Sequence, residues 1–539
     1  MKSALPIVQR RLTHPRYYVV VAAILAAGTL FLVFQTVLSL QWYLAHDSSY
    51  FHTIAFLIDR YDFVPYRDIF QFSLPLNLLF HLAIGKTLGY GDRAFRVVDV
   101  IYLGALLFMT WRVMRPFGGL VAWGAALSFG LLYQSFGATM TLQRDYLCLL
   151  PAATAIWLAG DVKTFGRGRW RYLAIGALFG LAVSIKPHSG IGLPPVLLYA
   201  LFADEHLGRA HSPLDWRALV KPALLTGAGL AFIVALPLLW LQQSGGLPSF
   251  WDMMTHYIPL YNQLNGNQEL LGPGERWIYV FNTAQMLGSK AGLLMTAALG
   301  IYFGLIDVEL SGPQRRLVVL LAALMPLYVV YELFAGKFWT YHWMPFFYFA
   351  TCCGALVLLP LQERYGHKGR QLFALTAFVA GMALTLRPAP DVYNQVRGQP
   401  PAPIAGGRAD AITAFLRREL RPGDTVQLLD GITGGSMTAL RRAEARLATP
   451  YIDDYQFYHH VSTDYIQGLR RDFLARLQAA PPRFMIYVPS PTRPHGVDSA
   501  DFPELDSFLA AHYHPALAGD GFTIYERNVP LASPLLPAP

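Results

Sequence analysis

The stretch AHDSSYFHTIAFLIDRYDFVPYRDIFQFSLPL, residues 45–76, follows directly on a long apolar run at residues 18–40. Asp47 therefore stands just beyond the point where a first membrane-crossing helix would end. A short amphipathic segment comes next, then Val64-Pro65-Tyr66-Arg67-Asp68 and Gln71. A carboxylate at that depth is partly desolvated beside the headgroup layer, where it can act as a base on a substrate presented by a lipid. A second reading stays open, because Asp followed by Ser48-Ser49 is good chemistry for starting a helix.

Working outward, the 539 residues are 54% hydrophobic and 14% charged, with mean hydropathy +0.35. A soluble chain carries about a quarter charged residues. The deficit is spread over many separate apolar runs, so the expectation is a polytopic α-helical membrane protein embedded in the lipid bilayer. Spans, each needing about 20 apolar residues or fewer where the bilayer thins, are expected at 18–40, 94–112, 118–138, 146–160, 172–186, 190–203, 222–241, 289–306, 316–335, 343–361 and 371–387. The first is too long in its apolar core for a cleaved signal and lacks a small-residue cleavage site, so it reads as an anchor.

The net charge of +9 does not point to nucleic acid, because the basic residues sit in short loops between spans. Lys2, Arg10, Arg11 and Arg16 form one group; Arg112 with Arg115, and Lys163, Arg167, Arg169 and Arg171, form the next. Arg209, Arg217 and Lys221, then Arg315 with Arg316, then Arg364, Lys368 and Arg370 complete the set. By the positive-inside rule these loops and the N-terminus are cytoplasmic, which places loops 41–93 and 242–288 and the C-terminal region outside. Cys148, Cys352 and Cys353 lie in apolar runs and offer neither a disulfide framework nor metal-ligand spacing. No cofactor is indicated, and nothing in the sequence calls for a divalent cation.

From Arg387 the composition changes. Residues 388–408, with five prolines from Pro388 to Pro403, read as a stiff non-helical linker. Beyond it, helices are expected at 409–420, 467–478 and 504–513, with strands at 425–429, 483–488 and 522–526. That alternation predicts a small external α/β domain over 409–539. Gly431-Ile-Thr-Gly-Gly lacks the spacing of a phosphate-binding glycine loop.

Ionisable residues at span ends are costly unless they are paired or used. On the outer side they converge: Asp47, Arg144-Asp145, Lys186-Pro187-His188, Glu332, Lys337 and Tyr341-His342. Several cations beside few acids make an anion site, and at that depth the fitting anion is a lipid phosphate. Each residue also has a plain reading. Arg144 and Asp145 make an internal pair, Lys186 snorkels to headgroups, His342 belongs to an aromatic belt, and Asp99 pairs with Arg96.

The order of these features resembles one family. A span is followed by an outer loop opening with an acid, then PYRD at 65–68 and a proline-containing helix. RD at 144–145, Lys186 between two short spans, and KFWTYHWMP at 337–345 follow. This resembles the bacterial GT-C glycosyltransferases, PMT/ArnT-like, over residues 18–387; order and topology carry the likeness rather than any one motif. The resemblance implies an inverting transferase that moves a sugar from a polyprenyl-phosphate-linked donor to an envelope glycan or lipid acceptor, outside the cytoplasmic membrane. It places the catalytic base at Asp47 and the donor phosphate near Arg144, Lys186, His188, Lys337 and His342. Tyr66, Arg67, Asp68, Gln71 and Asp145 fall on the acceptor and loop side. The family pattern has a Glu, then a Lys, before a Pro-Pro pair; here those positions hold Gln71, Ser73 and Leu74-Pro75, so a second carboxylate and a lysine are missing. Two other classes compete. A transporter or flippase of lipid-linked saccharides predicts midplane charges and inverted repeats, neither of which the sequence shows; a non-catalytic envelope scaffold leaves Asp47 and Lys186 unconstrained.

Overall fold

The computed structural model describes residues 15–162, 168–204, 216–272, 274–361, 368–489 and 493–528. The topology-setting Lys2, Arg10, Arg11, Lys163, Arg167, Arg209 and Arg364 lie outside the described residues.

Helices occupy all eleven expected spans, but they are not equally long. Five are long and apolar enough to cross a membrane on their own: Tyr18–Ser39, Asp92–Phe117, Leu219–Ser244, Gly312–Phe334 and Thr340–Leu361. A sixth arises if the pair Arg370–Thr385 and Pro390–Val396, bent by 87°, is counted as one span. The others are shorter, such as Leu149–Gly160, Leu193–Ala203 and Ala291–Tyr302. Proline explains one break: Lys186 precedes Pro187, which disfavours helical backbone before it, and the chain leaves Arg169–Ile185 through a tight turn at Pro187–Gly192.

The centre of the bundle is Thr340–Leu361, buried along its most apolar window. Small residues bring helices close around it and elsewhere. A Cβ on Gly300 would lie 1.9 Å from the Cys353 carbonyl oxygen, and one on Gly176 would lie 1.9 Å from that of Thr226. The three cysteines are free and buried in this packing.

The expected linker is a correction. Pro390–Val396 is helical, since a proline at the first helical position sacrifices no hydrogen bond and has φ already set. Loop 242–288 is also largely ordered into helices, including Leu247–Asp252 and Glu275–Ala284.

The C-terminal layer matches the expected alternation. In chain order the strands are β1 (Glu269–Leu270), β2 (Thr425–Leu429), β3 (Arg446–Leu447), β4 (Phe484–Tyr487), β5 (His495–Gly496), β6 (Tyr513–Gly519) and β7 (Phe522–Arg527). Five form a sheet in the order β3-β2-β4-β7-β6, with β2 parallel to β3 and β4, and β7 antiparallel to β4 and β6. Helices Arg408–Glu419, Asp464–Ala479 and Pro503–His512 connect and cover it.

This layer is strapped to both loops, 41–93 and 242–288. Phe70 N–H donates to the Pro450 carbonyl at 2.7 Å, and β1 of the second loop pairs in parallel with β5. One hydrophobic cluster runs from Tyr50, Ile54 and Leu57 through Leu241 and Phe250 to Ile412, Val426 and Ile524. Arg441 and Arg442 reach Asp92 at 3.1 and 2.6 Å, at the N-terminus of Asp92–Met114, where an acid also faces the positive end of the helix dipole.

Candidate active site

Asp47 is the first residue of helix Asp47–Tyr61, but its side chain does not cap that helix. It turns instead to Arg144, whose guanidinium nitrogen lies 3.3 Å from one carboxylate oxygen. His46 Nδ1 stands 2.9 Å from the other. Burial alone would raise the Asp47 carboxyl; His46 and Arg144 outweigh it and hold the group well below the usual carboxylate range. The Arg144 guanidinium lies over the Phe51 ring at 4.9 Å, so Asp47 and its helix hold the cation from two sides.

The expected pair within Arg144-Asp145 is not formed: the partners are crossed. Asp145 accepts from Lys186 Nζ at 2.7 Å and from the Tyr331 hydroxyl. Lys186 is buried over the Tyr331 ring, 5.3 Å from its centroid, and does not snorkel. Glu332 is fully buried nearby, with His342 Nδ1 3.6 Å from its carboxylate. His188 is half-buried against Tyr331 and Phe334. Asp99 pairs with Arg96 at 3.0 Å, as its spacing suggested.

Lys337 is occupied differently from the expectation of an open phosphate ligand. Its ammonium donates to the Tyr261 and Leu264 carbonyls at 3.0 and 2.6 Å and lies over the Tyr261 ring. Burial, with Arg276 adding to it, lowers its pKa to about 7. Tyr66, Arg67, Asp68 and Gln71 fold into their own turn. The Tyr66 hydroxyl donates to the Ser73 carbonyl at 2.6 Å, Arg67 pairs with Asp68 at 2.8 Å, and Gln71 Oε1 accepts from Ser73 N–H and Oγ–H. Tyr66 and Arg67 line an outward groove of about 360 Å³ with Tyr451, Tyr465, Asp472 and Arg476. Among the described residues no hydrogen bond or ion pair joins these four to Asp47, Arg144 or Lys186.

Two features set this cluster apart from the other buried polar pairs. Buried polar atoms normally find partners, yet Asp145 Oδ2, both Glu332 oxygens, Arg144 Nε and the Tyr50 and Tyr341 hydroxyls make no hydrogen bond within the protein. Left-handed backbone at non-glycine residues also flanks it: His46 (φ 55°), Leu142 (φ 47°), Phe338 (φ 53°) and His460 (φ 49°). Such residues cost of order 1–3 kcal/mol each and gather at functional sites. Among the described residues no group of three or more His, Cys, Asp or Glu side chains is placed to hold a metal.

Sequence reasoning missed several members. Tyr50 and Tyr261 come from loops 41–93 and 242–288, and Tyr331 from the span ending near Lys337. The C-terminal layer sends in Asp453, Tyr455 and His459 on the run YIDDYQFYHH, 451–460, all buried. Six aromatic or histidine side chains in ten residues are too apolar for a solvated loop, and that density was the available signal.

Residues 74–240 match the family model described as dolichyl-phosphate-mannose-protein mannosyltransferase. That window holds Arg144, Asp145 and Lys186 but begins after Asp47. The structure is similar to that of ArnT from Cupriavidus metallidurans bound to undecaprenyl phosphate. The TM-score is 0.56 at 11% identity, covering 94% of this chain and 97% of that one. The apo form of the same protein gives a TM-score of 0.55 at 12% identity, with the same coverage. The family match thus covers residues 74–240, and the likeness over the whole chain is one of fold. At such low identity the structural likeness shows the fold alone. No curated protein matches the chain in sequence.

Proposed function

We propose that this protein is an inverting glycosyltransferase of the GT-C type. It takes a sugar from a polyprenyl-phosphate-linked donor and passes it to a hydroxyl of an envelope glycan or lipid, on the outer face of the bacterial cytoplasmic membrane. The observation that carries this reading is Arg144, which contacts the Asp47 carboxylate while its neighbour Asp145 holds Lys186. One buried centre thus joins a base to two cations at the edge of the membrane bundle.

In the reaction, Asp47 takes the proton of the acceptor hydroxyl as its oxygen attacks the anomeric carbon. The bond from that carbon to the phosphate oxygen breaks on the opposite face, and the anomeric configuration inverts. The leaving polyprenyl phosphate gains negative charge, which Arg144 and Lys186 meet in a water-poor setting where fixed charges count most. His342, between Glu332 and the Lys186 region, lies on the same side. Lys337 anchors the second outer loop through its two carbonyl contacts. The similar ArnT structure is bound to undecaprenyl phosphate, and that ligand class fits the cations here.

The test uses purified full-length protein and undecaprenyl phosphate as the probe, alongside mass analysis of envelope glycans with and without the gene. Saturable binding that weakens in Lys186→Ala, together with a glycan mass lost on deletion, supports the proposal. Equal binding by parent and variant, or an unchanged glycan profile, overturns it.

A further inference from the structure

The first outer loop lacks the second carboxylate that the resemblance leads one to expect, and Gln71 at that position is spent on Ser73. An acid does reach the centre, from a different part of the chain. Asp453 lies in the segment after β3, is 2% exposed, and faces helix Asp47–Tyr61. Tyr50, one helical turn beyond Asp47 and so on the same side of that helix, sets its hydroxyl beside Asp453 without closing a well-directed hydrogen bond. The adjacent Asp454 is neutralised by Arg493 at 3.2 Å, whereas Asp453 has no cation partner among the described residues. One of its oxygens is fixed by the Tyr455 N–H at 3.2 Å, which orients the carboxylate.

The surroundings are those of a polyhydroxyl ligand. Tyr257 from the second outer loop meets His459 at 3.3 Å, and Tyr261 packs against Tyr455 with ring centroids 6.0 Å apart. Tyr261 lies within electrostatic reach of Arg144, Asp47 and Asp453 together, and the Lys337 ammonium lies over its ring at 4.2 Å. Aromatic faces with one unpaired carboxylate and tyrosyl hydroxyls suit the apolar faces and hydroxyl rims of a sugar.

We propose that Asp453 is the acceptor-binding carboxylate of this centre: it accepts hydrogen bonds from hydroxyls of a saccharide acceptor held between Tyr50, Tyr257 and Tyr261, opposite the donor cations. The external layer thereby completes the site that the membrane bundle opens. This rests on the transferase reading above. Burial, then Asp454, raises the Asp453 carboxyl to about 7, so it ionises in the range where the outer face works. The titratable and charged groups around it are Tyr50, Tyr257, Tyr261, Tyr455, Asp454, His459, Lys337, Arg144 and Asp47. Of these, Lys337 also titrates near 7, but it loses charge as pH rises while Asp453 gains it.

The experiment places Asp453→Asn in a gene-deleted strain and in purified full-length protein. Asparagine retains an oxygen for the Tyr455 N–H, so the turn survives while the charge is lost. The expected result is a ten- to hundred-fold fall in the glycan product, with unchanged thermal stability and unchanged undecaprenyl phosphate binding. Product formation by the parent should also rise with external pH through about 7, a limb that the variant lacks. Full product from Asp453→Asn across that range overturns the assignment to Asp453 alone. So does a product loss accompanied by weakened undecaprenyl phosphate binding or a fallen melting temperature. Parent protein that neither binds undecaprenyl phosphate nor alters the glycans overturns the transferase reading, and this proposal with it.

Discussion

Arg144 and Asp47, 97 residues apart in the chain, meet at 3.3 Å where the first outer loop joins the membrane bundle. On the proposed reading, the contact explains how a base and a phosphate-binding cation would coexist without substrate. Each neutralises the other while buried, and an entering phosphate would compete with Asp47 for Arg144, freeing the carboxylate for its proton.

The first prediction follows from that pairing. Asp47→Asn should lower glycan product by at least two powers of ten, the scale of general-base help. It should also cost stability, because a buried Arg144 loses its counter-charge; removing one partner of a buried pair costs about 3–5 kcal/mol. Asp47→Asn with Arg144→Gln should recover much of the melting temperature and none of the product. Product within a few-fold of the parent from Asp47→Asn would remove Asp47 from the base role.

Lys186 and Asp145 make a parallel case. Lys186→Ala should weaken undecaprenyl phosphate binding roughly ten- to a hundred-fold, the loss of one charge-assisted contact. Because Asp145 keeps only Tyr331, the variant should also melt earlier, and adding Asp145→Asn should restore stability without restoring binding. If the double variant recovers both, the lysine is structural.

Much of this was readable in advance, for physical reasons. Apolar runs mark helices wherever they fall, so helices occupy every expected span. Strand and helix periods in the tail placed β2, β4 and β7 within about one residue. What sequence conceals is long-range pairing: nothing local distinguishes Asp145 bonding Lys186 from Asp145 bonding Arg144. β6 was missed because YHPALAG carries a proline and small residues that weaken a strand signal, yet it sits at the sheet edge where proline is tolerated. The reach of residues 451–460 into the centre depends on the whole layer docking, which no motif announces.

Asp430, at the end of β2, supplies a pH prediction. Burial is the largest influence and raises its carboxyl to about 7, against the opposing hydrogen bonds from Ser436. A folded value above the unfolded one means the folded protein holds the proton more tightly. The resulting stability is full below about pH 4 and is lost as pH rises through about 7. Within the range where the remaining protein is intact, the melting temperature of the parent should therefore fall between pH 5.5 and 8. Asp430→Asn, which needs no proton, should make that part of the curve shallower, the remainder belonging to Asp453, whose carboxyl burial also raises to about 7. An unchanged slope in the variant would assign the dependence to other groups.

The last prediction concerns how the outer layer is held. Asp92 accepts from both Arg441 and Arg442, and its half of the contact lies at a helix N-terminus where its charge is favoured twice over. The cluster linking Tyr50 and Ile54 to Ile412 and Val426 is hydrophobic and extensive, so the strap should orient the layer more than glue it. Asp92→Asn should accordingly cost about 1–2 kcal/mol, the scale of partly buried charged hydrogen bonds, and leave the protein folded. Its larger effect should be on product, because Asp453 must stay registered against Tyr50 for an acceptor to be held. Ile54→Asp, by contrast, places an unpaired charge in the shared cluster and should strip the layer from the bundle. Limited proteolysis reads the difference: Asp92→Asn should leave the region around residues 397–407 as resistant as in the parent, and Ile54→Asp should open it to cleavage. Equal resistance in both variants would mean that the β-bridges to Phe70 and β1, rather than this cluster, carry the docking.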